Sequence, residues 1–494
     1  MKISLVPVPQ AQLSDNLVDW LHVEDRRLGL ISSLDGGQLV TLVLDCTDAS
    51  AQCWLTPLDS DVYHSLTPSV PQAHWFERAL NDLFGIRAAG HPRLKSVLQQ
   101  SSCKGNLHPL RSIAQCGNPD HGHKSDNSYL HVSGEGVYEI PVGPVHAGII
   151  EPGHFRLNCL GETIINLEIR LGFLHRGVER RLTEIPWRSA RFVAEAASSD
   201  AAAACAIAHA IAVESMSDIT VPERAQYLRT LALEVERVSM HINDLGGMSV
   251  DLGWSWLAAN LSRLRGMTQE MAALLSGSRF LRNFICPGGV SVDPDARLGE
   301  LKRMSEVVSK QLEVPINAFF DNSSVHDRTV KVGEISRSAA RELGLVGVAA
   351  RGSGIAYDAR QHFAHGLYPA LAPAMAVETA GDVLSRLKVR SAEIVGSLDL
   401  IRTALDNITS GTTSSELPNK LPGDTIGVGI VEAFRGELIH LIFTDKHGAI
   451  KRYCIKDPSF NNWTALAIAA GGNLVADFPV CNKSFSLSYS GVDL

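Results

Sequence analysis

TVPERAQYLRTLALEVERVSMHINDLGG, residues 220–247, is the stretch on which the architecture turns. Thr220 and Glu223 stand in the spacing of a capping box with Pro222 between them, and apolar side chains return at Leu228, Leu231, Val235, Val238, Ile242 and Leu245. That spacing predicts a helix with one apolar stripe, ended by Gly246-Gly247. The same reading extends outward to helices over about Leu252 to Leu275, Pro294 to Leu312 and Pro373 to Leu405. The last carries Leu384, Leu387, Ile394, Leu398, Ile401 and Leu405 on one side. Upstream, Ala194 to Met216 is alanine-rich but includes Glu195, Asp200, His209 and Glu214. Those groups exclude a membrane span, which needs about 20 apolar residues. A helix packed inside protein, with small side chains admitting neighbouring backbones, fits better.

The chain ahead of this body reads differently. Leu39 to Asp45 is a strand-like run and Gln72 to Leu83 has helical spacing before Gly85. Val137 to Val142 and Phe155 to Ile169 are strand-like, and near the end Gly436 to Thr444 and Ala449 to Ile455 flank Asp445-Lys-His-Gly448 as a hairpin. The expected class is α+β: a small N-terminal α/β domain over 1–112, a linker over 113–135, and a large, mainly helical domain with peripheral β-structure over 136–494. Gln99 to Asn127 is poor in large apolar residues and holds Cys103, Cys116, His108, His121 and His123, at spacings that match no standard metal template.

Composition narrows the function classes. With 45% apolar residues the chain can bury a large core, which excludes disorder. Its net charge of −8 argues against coating nucleic acid. Nine cysteines include no Cys-x-x-Cys pair, so neither a disulfide scaffold nor a zinc ribbon nor an iron–sulfur motif is expected. The opening MKISLVPVPQ has prolines where a signal peptide needs an apolar run, so a cytoplasmic chain is expected.

Literal strings go further. Trp75-Phe-Glu-Arg-Ala-Leu-Asn-Asp-Leu-Phe-Gly-Ile86, His91-Pro-Arg-Leu94 and His108-Pro-Leu-Arg111 resemble the C-type, 30-kilodalton-class subunit of respiratory complex I. Gly143-Pro-Val-His146, Gly172-Phe-Leu-His-Arg-Gly-Val-Glu-Arg180, Val221-Pro-Glu-Arg-Ala-Gln226, Pro287-Gly-Gly-Val290 and Arg351-Gly-Ser-Gly-Ile355 with Asp358 and Arg360 resemble its D-type, 49-kilodalton-class subunit. Joined in one chain, the two resemble the large subunit of group 4 membrane-bound [NiFe] hydrogenases of the hydrogenase-4 and formate hydrogenlyase type.

In that family a nickel–iron centre is held by four thiolates from two Cys-x-x-Cys motifs. Counting from Ala212-Val-Glu214 and from Lys483-Ser-Phe485, the resemblance places them at Ser198, Ala201, Ser488 and Gly491. Thiols with a pKa of about 8.5 deprotonate readily onto metals, whereas serine does not at neutral pH, and alanine and glycine offer no donor. A working nickel–iron centre is therefore not expected, and Cys205, alone in an alanine-rich helix, reads as core. The complex I side of the resemblance implies a quinone head group in the same cavity. It makes His146 and Asp251 the candidate catalytic pair and leaves about Ser199 where that family has a tyrosine. An imidazole with a carboxylate partner can donate a proton to a reduced quinone, or both can be structural polar residues under a turn.

His175, Arg176 and Glu179 either line the cavity or form buried ion pairs. Arg351 matches an arginine that the hydrogenases place over the metal, and Arg224, Glu234 and Arg237 are expected to pair among themselves. Gly134-Glu-Gly136 lacks the spacing of a dinucleotide fingerprint, so no cofactor is expected on this chain itself. By resemblance, NAD and iron–sulfur clusters belong to partner subunits. The partners implied are an iron–sulfur small subunit and antiporter-like membrane subunits, which would hold the chain peripherally on the inner face of the cell membrane. The function expected is that of a peripheral-arm subunit of a complex I-like or hydrogenase-4-like electron-transfer complex. The alternative is a non-catalytic scaffold or coupling subunit with a vestigial pocket.

Overall fold

The computed structural model describes residues 2–98, 108–111, 128–146 and 150–494. Cys103, Cys116, His121 and His123 of the expected connector lie outside them. His108 lies inside, its Nδ1–H donating to Asp82 O at 3.1 Å. Its ring fills the space where a Cβ on Gly85 would sit, and Gly85, at φ +71°, ends the helix His74–Phe84.

The N-terminal unit is built on a four-stranded sheet. Lys2–Pro7 runs parallel to Ser50–Pro57, followed by Gln38–Asp45 and then Arg26–Leu34, both antiparallel. Its inner face does not stop at a domain boundary: Leu42 and Leu44 share one hydrophobic core with Ile439, Leu441, Phe443 and Cys454. The latter side chains come from an antiparallel sheet of Ile426–Ala433, Gly436–Thr444 and Ile450–Lys456. The expected hairpin is its second half, with Asp445 Oδ1 accepting from His447 N and Ala449 N across the turn. The strand Ile426–Ala433 is buried along its whole length. It shows no alternation of apolar and polar residues, the signal by which strands are read.

Val137–Val142, His154–Leu160 and Thr163–Arg170 form a third sheet, so the strand-like run from Phe155 to Ile169 is a hairpin. The helical body is made by Ala202–Ser217, Glu223–Asp251, Ser255–Ser276, Leu298–Asp321 and Val383–Asn407. Three expectations need correction. Helix Glu223–Asp251 continues through Gly246-Gly247, and its N-cap is Pro222 with no side-chain cap bond, so the capping box does not form. Neither glycine ends the helix or is required by a close approach: a Cβ on Gly246 would make ordinary contact with Leu261 Cβ at 3.4 Å, and Gly247 O accepts from Lys483 Nζ at 3.0 Å. The last long helix begins only at Val383, where Asp382 caps Ser385 N at 2.8 Å.

The third correction matters most. The alanine-rich run is not one helix: Trp187–Ala194 stops and Ala202–Ser217 starts anew. Glu236 accepts from Ala203 N at 2.7 Å and Ala204 N at 3.1 Å, capping amides that a continuous helix would have used internally. Arg176 takes the carbonyls of Ala196 and Ala197 on the other side of the break. No helix among the described residues is long and apolar enough to cross a membrane.

Candidate functional site

The break at 195–201 faces the C-terminal segment that follows helix Phe478–Phe485. Ser198 Oγ and Ser488 Oγ are 3.2 Å apart, and both side chains are buried. Ser488 Oγ also accepts from Gly491 N at 2.9 Å, and Ala201 N donates to Ser198 O at 3.3 Å. The four positions that resemblance assigns to thiolates therefore come together in space. They supply two hydroxyls and no thiolate. A Cβ on Gly491 would collide with the Asp457 carboxyl and lie 2.9 Å from Ser488 Oγ, so the space of the fourth ligand is taken. A nickel–iron centre does not fit these residues. Cys205 is fully buried and burial pushes its thiol up, which agrees with a core role.

Two arginines hold the cluster. Arg176 donates to Ala196 O (2.6 Å), Ala197 O (2.7 Å) and Ser490 O (2.7 Å), fastening the helix break to the C-terminal segment. Arg435 holds Asp200 through both carboxylate oxygens, at 2.7 and 2.6 Å, and also donates to Ser486 O. Burial would raise the Asp200 carboxyl, but the guanidinium more than reverses this and keeps it below its ordinary value. Ser198 Oγ donates to the same carboxylate at 3.2 Å. Beside it, Ser199, Asp200, Glu236, Ser239 and Arg279 line a cavity of about 20 Å³. There burial pushes the Glu236 carboxyl up to about 7 against the pull of its two backbone amides.

His146 stands at the edge of this cluster. Its Nδ1 lies 3.2 Å from Pro144 O, which can only accept, so Nδ1 carries a proton. Nε2 lies 3.4 Å from Tyr489 OH. Neutral His146 thus accepts from the tyrosine, and protonated His146 donates to it. Burial raises the Tyr489 phenol, which keeps it an O–H donor. Glu151 anchors the tyrosine's segment by accepting from Tyr489 N (3.2 Å) and Ser490 N (2.9 Å), and Ser199 Oγ reaches its other oxygen at 3.5 Å.

The expected pairing of His146 with Asp251 is not what the side chains do. Asp251, the last residue of its helix, is held in an ion pair with Lys483 Nζ at 2.8 Å, while the His146 ring contacts belong to Pro144, Tyr489 and Phe155. Arg351 also lies elsewhere. It is completely buried and surrounded by Glu393 (2.5 Å), Glu432 (2.8 Å), Asp358 (3.7 Å) and Tyr357 O (2.8 Å), with each of its three nitrogens hydrogen-bonded. The arginine that does face the four positions is Arg435. His175 lines a cavity of about 60 Å³ beside the chain's last residues and sits 3.6 Å from Asp493. Glu179 makes the buried ion pair foreseen for it, with Arg452 at 2.8 Å. Glu234 and Arg237 pair at 3.2 Å, whereas Arg224 turns to Asp293 and Asp295.

Tyr489, Glu151, Arg435 and Asp457 were missed in the sequence. Tyr489 had a signal, since it lies between two of the counted positions, and Asp457 had one as the N-cap before Pro458; Glu151 and Arg435 meet the cluster only through contacts more than 30 residues away.

Comparison with known proteins agrees with the geometry. Residues 17–118 match the family described as respiratory-chain NADH dehydrogenase, 30 Kd subunit, and residues 244–425 match its 49 Kd counterpart. Hydrogenase-4 component G of Escherichia coli (strain K12) is 30% identical, over 100% of this chain and 87% of its own length. Formate hydrogenlyase subunit 5 of the same organism is 29% identical, over 93% and 82%. The membrane-bound hydrogenase subunit alpha of Pyrococcus furiosus is 32% identical, over 72% and 87%. Among solved structures, a chain of the membrane-bound sulfane sulfur reductase, an archaeal respiratory membrane complex, superposes with a TM-score of 0.70 at 27% identity, covering 74% of this chain and 100% of that one.

Proposed function

This chain belongs to the family that joins complex I 30 Kd-type and 49 Kd-type units in one polypeptide, with hydrogenase-4 component G as a member, and we propose that it serves a quinone-type acceptor rather than hydrogen. It is a peripheral-arm subunit of a membrane-bound complex of that kind. Reduction of a quinone to its quinol takes two electrons and two protons. The electrons would come from an iron–sulfur cluster on a small partner subunit. His146 Nε2–H and the Tyr489 hydroxyl would hand protons to the carbonyl oxygens, each then restored from solvent. Docking on antiporter-like subunits at the inner face of the membrane completes the proposed setting.

The observation that carries this reading is the 3.4 Å approach of Tyr489 OH to His146 Nε2 beside a centre with no thiolate. A positioned acid contributes about 10²–10⁴-fold to such a step. In the purified complex, His146→Ala and Tyr489→Phe are expected to lower quinone reduction by about 10²-fold or more with assembly intact. Stoichiometric nickel together with hydrogen turnover would overturn the reading.

A second reading rests on the closure of the centre itself. The Ser198–Ser488 bond, the Arg176 clasp and a cavity of only about 20 Å³ suit a coupling scaffold with a vestigial pocket. Unchanged quinone reduction in both variants would favour it.

A further inference from the structure

A larger cavity than the one at that centre lies elsewhere. It measures about 260 Å³ and lies on the seam between the N-terminal sheet and the large domain. Four arginines face it: Arg26 and Arg27 from the small unit, and Arg337 and Arg341 from the short helix Arg337–Glu342 across the seam. They are set against two carboxylates, Glu24 and Asp25, in a chain whose net charge is −8.

Two of the four are already engaged. Arg26 holds Asp45 at 2.8 Å, and Arg341 pairs with Glu24 at 3.7 Å. Arg27 is fixed but unfinished. Its guanidinium lies 4.0 Å over the Tyr357 ring and donates through Nη2 to Leu345 O at 3.1 Å, while its buried Nε–H has no acceptor. That Nε is closed off by the protein, so the nitrogen left for a ligand is Nη1, which makes no hydrogen bond among the described residues. Arg337 has no acidic partner among the described residues and is exposed at the opposite wall.

We propose that this seam cavity binds a small phosphate-bearing anion, held between Arg27 and Arg337. A carboxylate is planar and is satisfied by one guanidinium fork, whereas phosphate presents tetrahedral oxygens that forks on two opposed walls can share. Because the walls belong to different units, the ligand would also fasten the small domain to the large one. Asp25, which has no basic partner among the described residues, opposes the anion and sets the affinity below what the arginines alone would give.

The test uses the full chain with inorganic phosphate, pyrophosphate and AMP as probes, each against potassium chloride at matched ionic strength. Isothermal titration and thermal unfolding are the readouts. Pyrophosphate is expected to bind in the micromolar to low millimolar range and to raise the unfolding temperature. Arg337→Gln and Arg27→Gln should each weaken it tenfold or more, and Asp25→Asn should tighten it. Arg337 is exposed, so its variant keeps the test valid even if Arg27→Gln disturbs folding. Preference for AMP over both inorganic probes would identify a nucleotide as the source of the phosphate. Absence of binding, or equal binding by wild type and Arg337→Gln, would overturn the proposal.

Discussion

Ser198 Oγ lies 3.2 Å from Ser488 Oγ, a contact between residues 290 positions apart in the chain. The two hydroxyls satisfy one another where the related hydrogenases are expected to present thiolates to a metal. The centre has been closed by hydrogen bonds rather than left open, and the consequences can be measured.

Gly491→Cys should destabilise the protein, since its side chain would displace the buried Asp457 carboxyl. Overpacking of this kind costs about 1–3 kcal/mol. Urea unfolding of Gly491→Cys and of the double variant with Asp457→Ala gives the check. Asp457→Ala alone loses the N-cap of helix Pro458–Ala470, so the double variant is expected to be less destabilised than the two single changes added together, and equal stability of wild type and Gly491→Cys would show that the space is not taken.

Arg351→Met should be among the most damaging single changes. It leaves Glu432, completely buried, with only the Ala359 amide at 3.0 Å, and takes from Glu393 its closest partner while His241 (2.9 Å) and Arg237 (3.7 Å) remain. Breaking a buried pair in this way costs about 3–5 kcal/mol. Arg351→Lys should recover only part, because one ammonium cannot replace a fork that serves two carboxylates and a backbone carbonyl. A loss under 1 kcal/mol by urea unfolding would refute the structural role assigned here.

Stability should fall as pH rises through the Glu236 titration. Burial lifts this carboxyl from its ordinary 4.5 to about 7, so the folded state holds the proton more tightly than the unfolded chain. Its protonated form therefore favours folding below about pH 4.5, and that contribution is lost as pH climbs to about 7. At 1.36 kcal/mol per unit the loss is on the order of 3 kcal/mol. Glu236→Gln should flatten the stability profile across this window. An unchanged slope would assign the titration to another group.

Arg176→Ala should loosen the C-terminal segment without unfolding the domain. Three carbonyls, those of Ala196, Ala197 and Ser490, lose their donor. Such losses cost about 1–3 kcal/mol each when the group stays buried. Hydrogen exchange should accelerate at residues 195–201 and 487–494 while the helix Glu223–Asp251 keeps its protection. Uniform acceleration would mean that Arg176 supports the whole fold.

Legibility in the sequence followed the range of the interaction. The helix beginning at Glu223 was readable because its apolar stripe repeats every turn, but its end was not. Gly246 looks like a stop by local rules, yet the helix runs on through it to Asp251, held by its packing on neighbouring helices. The strand Ile426–Ala433 was invisible because burial on both faces removes alternation. The interruption before Ala202 was hidden because its cause, Glu236, caps it from another helix.

What the sequence determined alone is the chemistry that residue types forbid. Ser198, Ala201, Ser488 and Gly491 cannot supply thiolates in any fold. Which groups gather around those positions was decided only by tertiary structure. His146 meets Tyr489 across 343 residues while Asp251 is drawn to Lys483, and Arg435 rather than Arg351 reaches the cluster through Asp200. Hydrogen bonds and ion pairs act over about 3 Å in space and are indifferent to separation along the chain. Local pattern can therefore nominate such groups, and only the packed structure can pair them.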